Sequence, residues 1–191
     1  YMVTHHLSYN ITKNFNLGLF ESIVFGRTDS TGNNTGFEFH YLNPLIFYRT
    51  IEFNLGSPDN VIIGLDWKWN FLRRFSVYGQ IVLDEFNLNE LREDFTWWGN
   101  KFGFQTGLKY IDFAGLKNLD AQVEFNMARP YTYTHENNNA SFTHFSQELA
   151  HPLGANFSEM VVLLNYQPTG RLHLSAKVIA AKYGADNDTT N

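Results

Sequence analysis

The sequence predicts an all-β protein, an antiparallel up-and-down transmembrane β-barrel. About eight strands fall in this chain, as part of a larger barrel. Three observations predict it. Apolar and polar residues alternate with a period of two through eight segments, each close to the roughly 10 residues a strand needs to cross a bilayer. The connections alternate as well, short and turn-forming at one end, long at the other. Aromatic residues gather on the apolar face near both strand ends.

The clearest segment is Val61 to Phe71, where Val61, Ile63, Leu65, Trp67, Trp69 and Phe71 oppose Gly64, Asp66, Lys68 and Asn70. Successive side chains of a strand point to opposite faces, so one face is wholly apolar. From Phe75, one face carries Phe75, Val77, Ile81 and Leu83, the other Ser76, Tyr78, Gln80 and Asp84. From Lys101, Phe102, Phe104, Leu108 and Tyr110 oppose Lys101, Gln105 and Lys109. From Leu119, Leu119, Ala121, Val123, Phe125 and Met127 oppose Asp120, Gln122, Glu124 and Asn126. From Leu172, Leu172, Leu174, Ala176, Val178 and Ala180 oppose His173, Ser175 and Lys177. The segments Met2–Thr12, Phe15–Arg27 and Ser158–Gln167 alternate less cleanly; in the last, Val161 and Leu163 blur the polar face.

Short polar stretches at Thr12–Asn14, Arg73-Arg74, Gly115–Asn118 and Gln167–Arg171 suit tight hairpins. Long connections run around Thr28–Asn60, Asn87–Asn100 and His135–Phe157. With Leu116-Lys117 as turn residues, Lys109 falls opposite Glu124, and the two are expected to form an ion pair.

Alternation alone does not say which face points outward. Mixed charges at Asp66, Lys68, Asp84, Lys101, Lys109, Asp120, Glu124 and Lys177 suit a hydrated lumen. Trp67, Trp69, Phe75, Tyr110 and Tyr166 form an apolar-face band near the short turns, and Phe102, Phe104, Tyr131 and Tyr133 a second toward the long loops. Paired aromatic bands mark two membrane interfaces. A soluble barrel or sandwich with an aromatic-rich core is the competing arrangement.

The 191 residues show no break in composition, so residues 1–191 read as one domain or a fragment of one. The net charge of -5 argues against nucleic acid as a partner. Cysteine is absent, which excludes disulfides and thiolate metal sites. There is no apolar run of about 20 residues, the length of a helical span. The first residues do not read as a signal peptide, and the polar tail at 185–191 lacks an aromatic-ended final strand, so a processed or partial chain is expected.

Candidate ligand-binding residues cluster at the third long connection: Arg129, Tyr131, Tyr133, His135, His151 and Asn156. Aromatic rings beside Asn, Arg and His suit carbohydrate, whose apolar ring faces stack while hydroxyls hydrogen-bond. A metal at His135, His144 and His151, with Glu148, would match no ligand spacing, and a loop satisfying its own backbone is the simpler reading. The apolar stretch Phe37–Arg49 reads either as folding back onto the barrel or a partner, or as a strand extended past the membrane. Asp84 and Glu85 are strand neighbours and point apart, so they form no dyad; Glu90, Glu93 and Asp94 read as a solvated loop face. No nucleophile elbow, phosphate loop or zinc motif is present, so no catalytic residues, metal or cofactor are assigned.

Four strings carry a family resemblance: Tyr41–Arg49, Glu52–Asn60, Tyr78–Phe86 and Ala150–Phe157. They resemble the Wzi-like capsule-assembly outer-membrane proteins of Bacteroidetes, a group that includes the gliding-motility protein RemB. The resemblance covers most of Gly36 to Gly184 and matches the later part of such a protein. It implies a bacterial outer-membrane location, contact with outer-membrane lipid, and a non-enzymatic role in attaching or assembling surface polysaccharide, or in adhesion and gliding. It supplies no functional residues. The alternative is a porin-like pore, or an accessory barrel subunit bound to other envelope proteins of a secretion or motility complex.

Overall fold

The computed structural model describes residues 1–26, 43, 60–84, 101–135, 141–145 and 147–184. The apolar stretch Phe37–Arg49, all but Asn43, and the Glu90–Asp94 group lie outside them. The fold is all-β. Eight strands form one antiparallel sheet: β1 (Met2–Asn10), β2 (Phe15–Val24), β3 (Asn60–Phe71), β4 (Phe75–Asp84), β5 (Phe102–Tyr110), β6 (Leu119–Ala128), β9 (Phe157–Thr169) and β10 (Leu172–Tyr183). A two-residue hairpin pair, β7 (Thr143–His144) and β8 (Gln147–Glu148), sits apart from it in the connection between β6 and β9. Strand order follows chain order, so the sheet is an up-and-down meander. It is open: among the described residues, the outer edges of β1 and β10 meet no further strand.

Cross-strand register carries the alternation from strand to strand. Gly18, Asp66, Gln80, Gln105, Asn126 and Glu159 follow one another directly across β2, β3, β4, β5, β6 and β9. One step along, Leu19, Leu65, Ile81, Phe104, Met127 and Ser158 share the opposite face. The apolar face is bare over much of its area, with Leu7, Trp69, Ile81, Leu108, Val123, Phe125, Met160, Leu174 and Val178 all exposed. It is not uniform. Toward the long connections, Ile23 and Phe25 are buried, with Val3 and Val61 packed on them. Glu21 is buried nearby with its carboxylate 3.1 Å from His5 Nδ1.

At the short-turn end an aromatic row crosses the apolar face. Trp69 stacks on Phe71 at 4.8 Å, Phe71 on Phe75 at 5.5 Å and Phe75 on Tyr110 at 4.3 Å; Phe113 meets Tyr110 edge-on at 5.3 Å. At the other end the expectation needs correction. Tyr133 is not part of an outward band; it is buried with Val24, Ile62, Val82, Ala128, Phe142 and Phe157. The five strand residues among them all lie on the polar face, with Val82, Ala128 and Phe157 in one cross-strand row through Gly103, so the main core fills that face beneath the long connection.

The expected Lys109–Glu124 ion pair is also corrected. Lys109 stands opposite Gln122, and Glu124 opposite Gly107. The turn is wider than two residues. Asp112, Ala114, Gly115 and Asn118 take left-handed conformations, and Asp112 Oδ1 accepts the Asn118 N–H at 2.9 Å. The wider loop moves the register by two residues, which keeps both side chains on the polar face but separates them.

Candidate functional site

The polar face carries three groups of side chains. The first is a hydrogen-bonded network at mid-strand. Tyr78, Gly107 and Glu124 are in register across β4, β5 and β6. A Cβ on Gly107 would collide with the Tyr78 ring, so the missing side chain lets Tyr78 lie across β5 and reach Glu124. Its hydroxyl donates to Glu124 Oε2 at 2.5 Å and accepts from Gln122 Nε2 at 2.6 Å. Gln105 Nε2 and Asn126 Nδ2 donate to Glu124 Oε1. Asn126 Nδ2 also donates to Glu159 Oε2 at 3.0 Å. Two carboxylates therefore fix the Asn126 amide orientation, and its buried Oδ1 accepts no hydrogen bond among the described residues.

The second group joins the sheet to the connection between β6 and β9. The Tyr133 N–H donates to Asp84 Oδ2 at 2.6 Å, and Asp84 is fully buried. Lys101 Nζ donates to the Thr134 carbonyl at 3.1 Å. His151 stacks on Phe157 at 4.4 Å and places Nε2 3.3 Å from Glu159 Oε2. His151 Nδ1 accepts the Leu153 N–H, so the neutral ring carries its proton on Nε2, facing Glu159. Tyr131, Tyr133 and Asn156 are left-handed, a costly conformation for aromatic residues, and the Asp84 contact holds it in place at Tyr133.

The third group is charged. A cavity of about 350 Å³ is lined by Asp66, Lys68, Tyr78, Gln80, Gln105 and Lys109, among others. His6 Nε2 lies 2.8 Å from Asp66 Oδ2, across Gly18, where a Cβ would strike both. Lys109 sits 5.5 Å from the Tyr78 ring centre. Asp120 lies apart at the turn end, where its Oδ1 accepts the Asp112 N–H at 3.2 Å. Lys177 is exposed on the edge strand β10.

A neutral cavity of about 280 Å³ lies at the long-connection end, its lining including Phe20, Gln80, Gln105, Asn126, Tyr133 and His151. Of the six residues expected to bind ligand, it brings together Tyr133 and His151. Arg129 places its guanidinium 5.6 Å from the Phe102 ring centre, and Tyr131 is exposed. His135 donates its backbone N–H to Ser141 Oγ, and Asn156 ties Arg129 to Gly184 through its backbone. Among the described residues no cluster of His, Asp and Glu could hold a metal. Sequence reading placed Tyr78, Gln80, Gln105 and Asn126 on the polar face without assigning them to a site, and missed Phe142 and Glu159. Glycines on the polar face opposite large side chains, such as Gly107 beside Tyr78, were the available signal.

No protein-family model matches the chain, and no curated protein or solved structure matches it either.

Burial, then the charges of Asp84 and Glu148, push the Tyr133 phenol from 10.0 up to about 12. The neutral phenol is favoured in the folded protein, so this contribution is complete below pH 10 and lost as pH rises through about 12. Limited proteolysis of the 129–157 connection is expected to accelerate over that interval. Tyr133→Phe removes the acceleration.

Proposed function

We propose that the chain forms part of the wall of a bacterial outer-membrane β-barrel. In this reading it holds surface polysaccharide through its long connections and catalyses no reaction. The observation that carries the membrane part is the exposed apolar face running from β1 to β10, backed by a polar face with charged and amide side chains. Strands of 9 to 13 residues have the reach to cross the hydrocarbon. In hydrocarbon an unpaired strand edge leaves backbone groups unsatisfied at several kcal/mol each, so β1 and β10 must be paired there. The described parts of the 129–157 connection fold onto the polar face and support attachment over free passage, because they occupy the end of that face that would otherwise open. The attachment role and the link to adhesion or gliding rest on the sequence resemblance.

The cavity bearing Asp66, Lys68 and Lys109 favours a second reading, a pore or an accessory subunit of a secretion or motility complex.

Tyr133 and His151 hold the connection in place, so exposed Tyr131 is the better probe of attachment. Cells lacking the protein are expected to shed polysaccharide into the medium. Tyr131→Ala, at normal protein levels, is expected to weaken retention about fivefold, the loss of roughly 1 kcal/mol of ring stacking. Full retention in the deletion strain rejects attachment; loss of gliding or secretion alone moves the second reading ahead.

A further inference from the structure

We propose that the neutral cavity at the long-connection end is a binding site for one uncharged sugar ring, a deepening that rests on the polysaccharide reading. Its volume, about 280 Å³, is at the small end of small-molecule sites, which run from roughly 300 Å³. That admits a single ring and not a folded chain of them.

The lining chemistry selects the class. No Asp, Glu, Lys or Arg lines it among the described residues. His151 is engaged through Nε2 by Glu159 and through Nδ1 by the Leu153 N–H, so it presents no free charge. The polar part of the lining is Gln80, Gln105, Asn126 and Ser22, and the Ser22 hydroxyl is paired with Thr4. Gln105 already gives an N–H to Glu124, which leaves its carbonyl oxygen as an acceptor; Asn126, its amide held by Glu124 and Glu159 and its Oδ1 buried, is part of the wall only. The Gln80 amide makes no hydrogen bond among the described residues, so donor and acceptor are both open. A polyhydroxylated ring needs this mixture, since each hydroxyl both donates and accepts.

The walls are aromatic. Phe20 packs against the core cluster and lies over Gly64, where a Cβ would collide with it. Tyr133 and Phe142 face the cavity from the connection, with ring centres 6.2 Å apart. Aromatic faces with amides between them suit the apolar face and equatorial hydroxyls of a pyranose. Gln80 and Gln105 also line the charged cavity, so a chain anchored by one ring has a continuation along the polar face.

The test is saturation-transfer NMR on the purified protein in detergent. The probes are methyl glucoside, methyl galactoside, methyl mannoside and N-acetylglucosamine, with glucuronate as charged control. At least one neutral probe is expected to bind at millimolar concentration and glucuronate not. Gln80→Leu is expected to weaken binding about tenfold, and Gln80→Trp, which fills the space, to abolish it, with thermal unfolding unchanged in both. Preference for glucuronate, binding unaffected by either variant, or no binding by any probe overturns the site. The deletion strain separates this from the broader reading. Retention lost there with no sugar bound overturns the site alone; sugar bound with retention intact overturns the attachment role alone.

Discussion

Arginine at Val123 is expected to destabilise the protein in a bilayer by about 2–4 kcal/mol and to lower the amount assembled, while arginine at Asn70 is tolerated. Val123 is 45% exposed on the apolar face of β6, and Asn70 is exposed on the polar face of β3. In water, an exposed Val→Arg substitution away from any special contact costs within about 0.5 kcal/mol. The same substitution therefore separates the two environments by a margin larger than ordinary mutational scatter. Leu65→Arg, on the same face, is expected to behave as Val123→Arg. The measurement is unfolding by urea from lipid vesicles, with the heat-modifiable folded fraction in the envelope as a second readout. Equal tolerance at Val123, Leu65 and Asn70 would place the apolar face in water or against protein.

The second large effect is expected at Asp84. Its carboxylate accepts the buried Tyr133 N–H at 2.6 Å and fixes a left-handed tyrosine. Asp84→Ala leaves that donor without an acceptor in a dry environment, which costs about 2–3 kcal/mol. The loss is expected to fall on the connection, not on the sheet, because Asp84 ends its strand. Protease cuts within 129–157 should appear at concentrations that leave wild type intact, while the β-sheet circular dichroism is unchanged. Asp84→Asn retains an acceptor oxygen and should lose less. Equal protease resistance in wild type and Asp84→Ala would show that the connection is held by other contacts.

The sheet was legible because its signal is local. In Val61–Phe71 every odd residue is apolar, and a period of two has one structural meaning whatever the partner strand is. The eight predicted segments match the eight strands to within a few residues at their ends. The turn chemistry was harder to read. Gly115-Leu116-Lys117-Asn118 looks like a tight hairpin, but Asp112 organises an eight-residue loop, Ile111–Asn118, from further back. A two-residue error in loop length moved Lys109 away from Glu124.

The site was less legible for the same reason. Tyr133 and His151 were singled out for their chemistry, but sequence carries no sign that the connection folds onto the polar face. That placement depends on Asp84, Lys101 and Glu159, which lie up to 49 residues from their partners. Glu21 on the apolar face of β2 was also unmarked; its pairing with His5 comes from strand register, not from neighbours in sequence. The β7–β8 hairpin, at two residues per strand, is too short for any periodicity to show.

In the proposed barrel wall the two faces of the sheet meet different solvents, lipid on one and water on the other. The chain has no cysteine, so single-cysteine variants give unambiguous labelling sites. The direct measurement is spin-label accessibility along β3, residue by residue from Ile63 to Lys68, in protein reconstituted into vesicles. Labels at Ile63, Leu65 and Trp67 are expected to collide with oxygen dissolved in the bilayer. Labels at Gly64, Asp66 and Lys68 should collide with a water-soluble nickel chelate, giving a period of two in opposite phase for the two quenchers. Nickel accessibility at Ile63, Leu65 and Trp67, or shielding of those three from both quenchers, would contradict it.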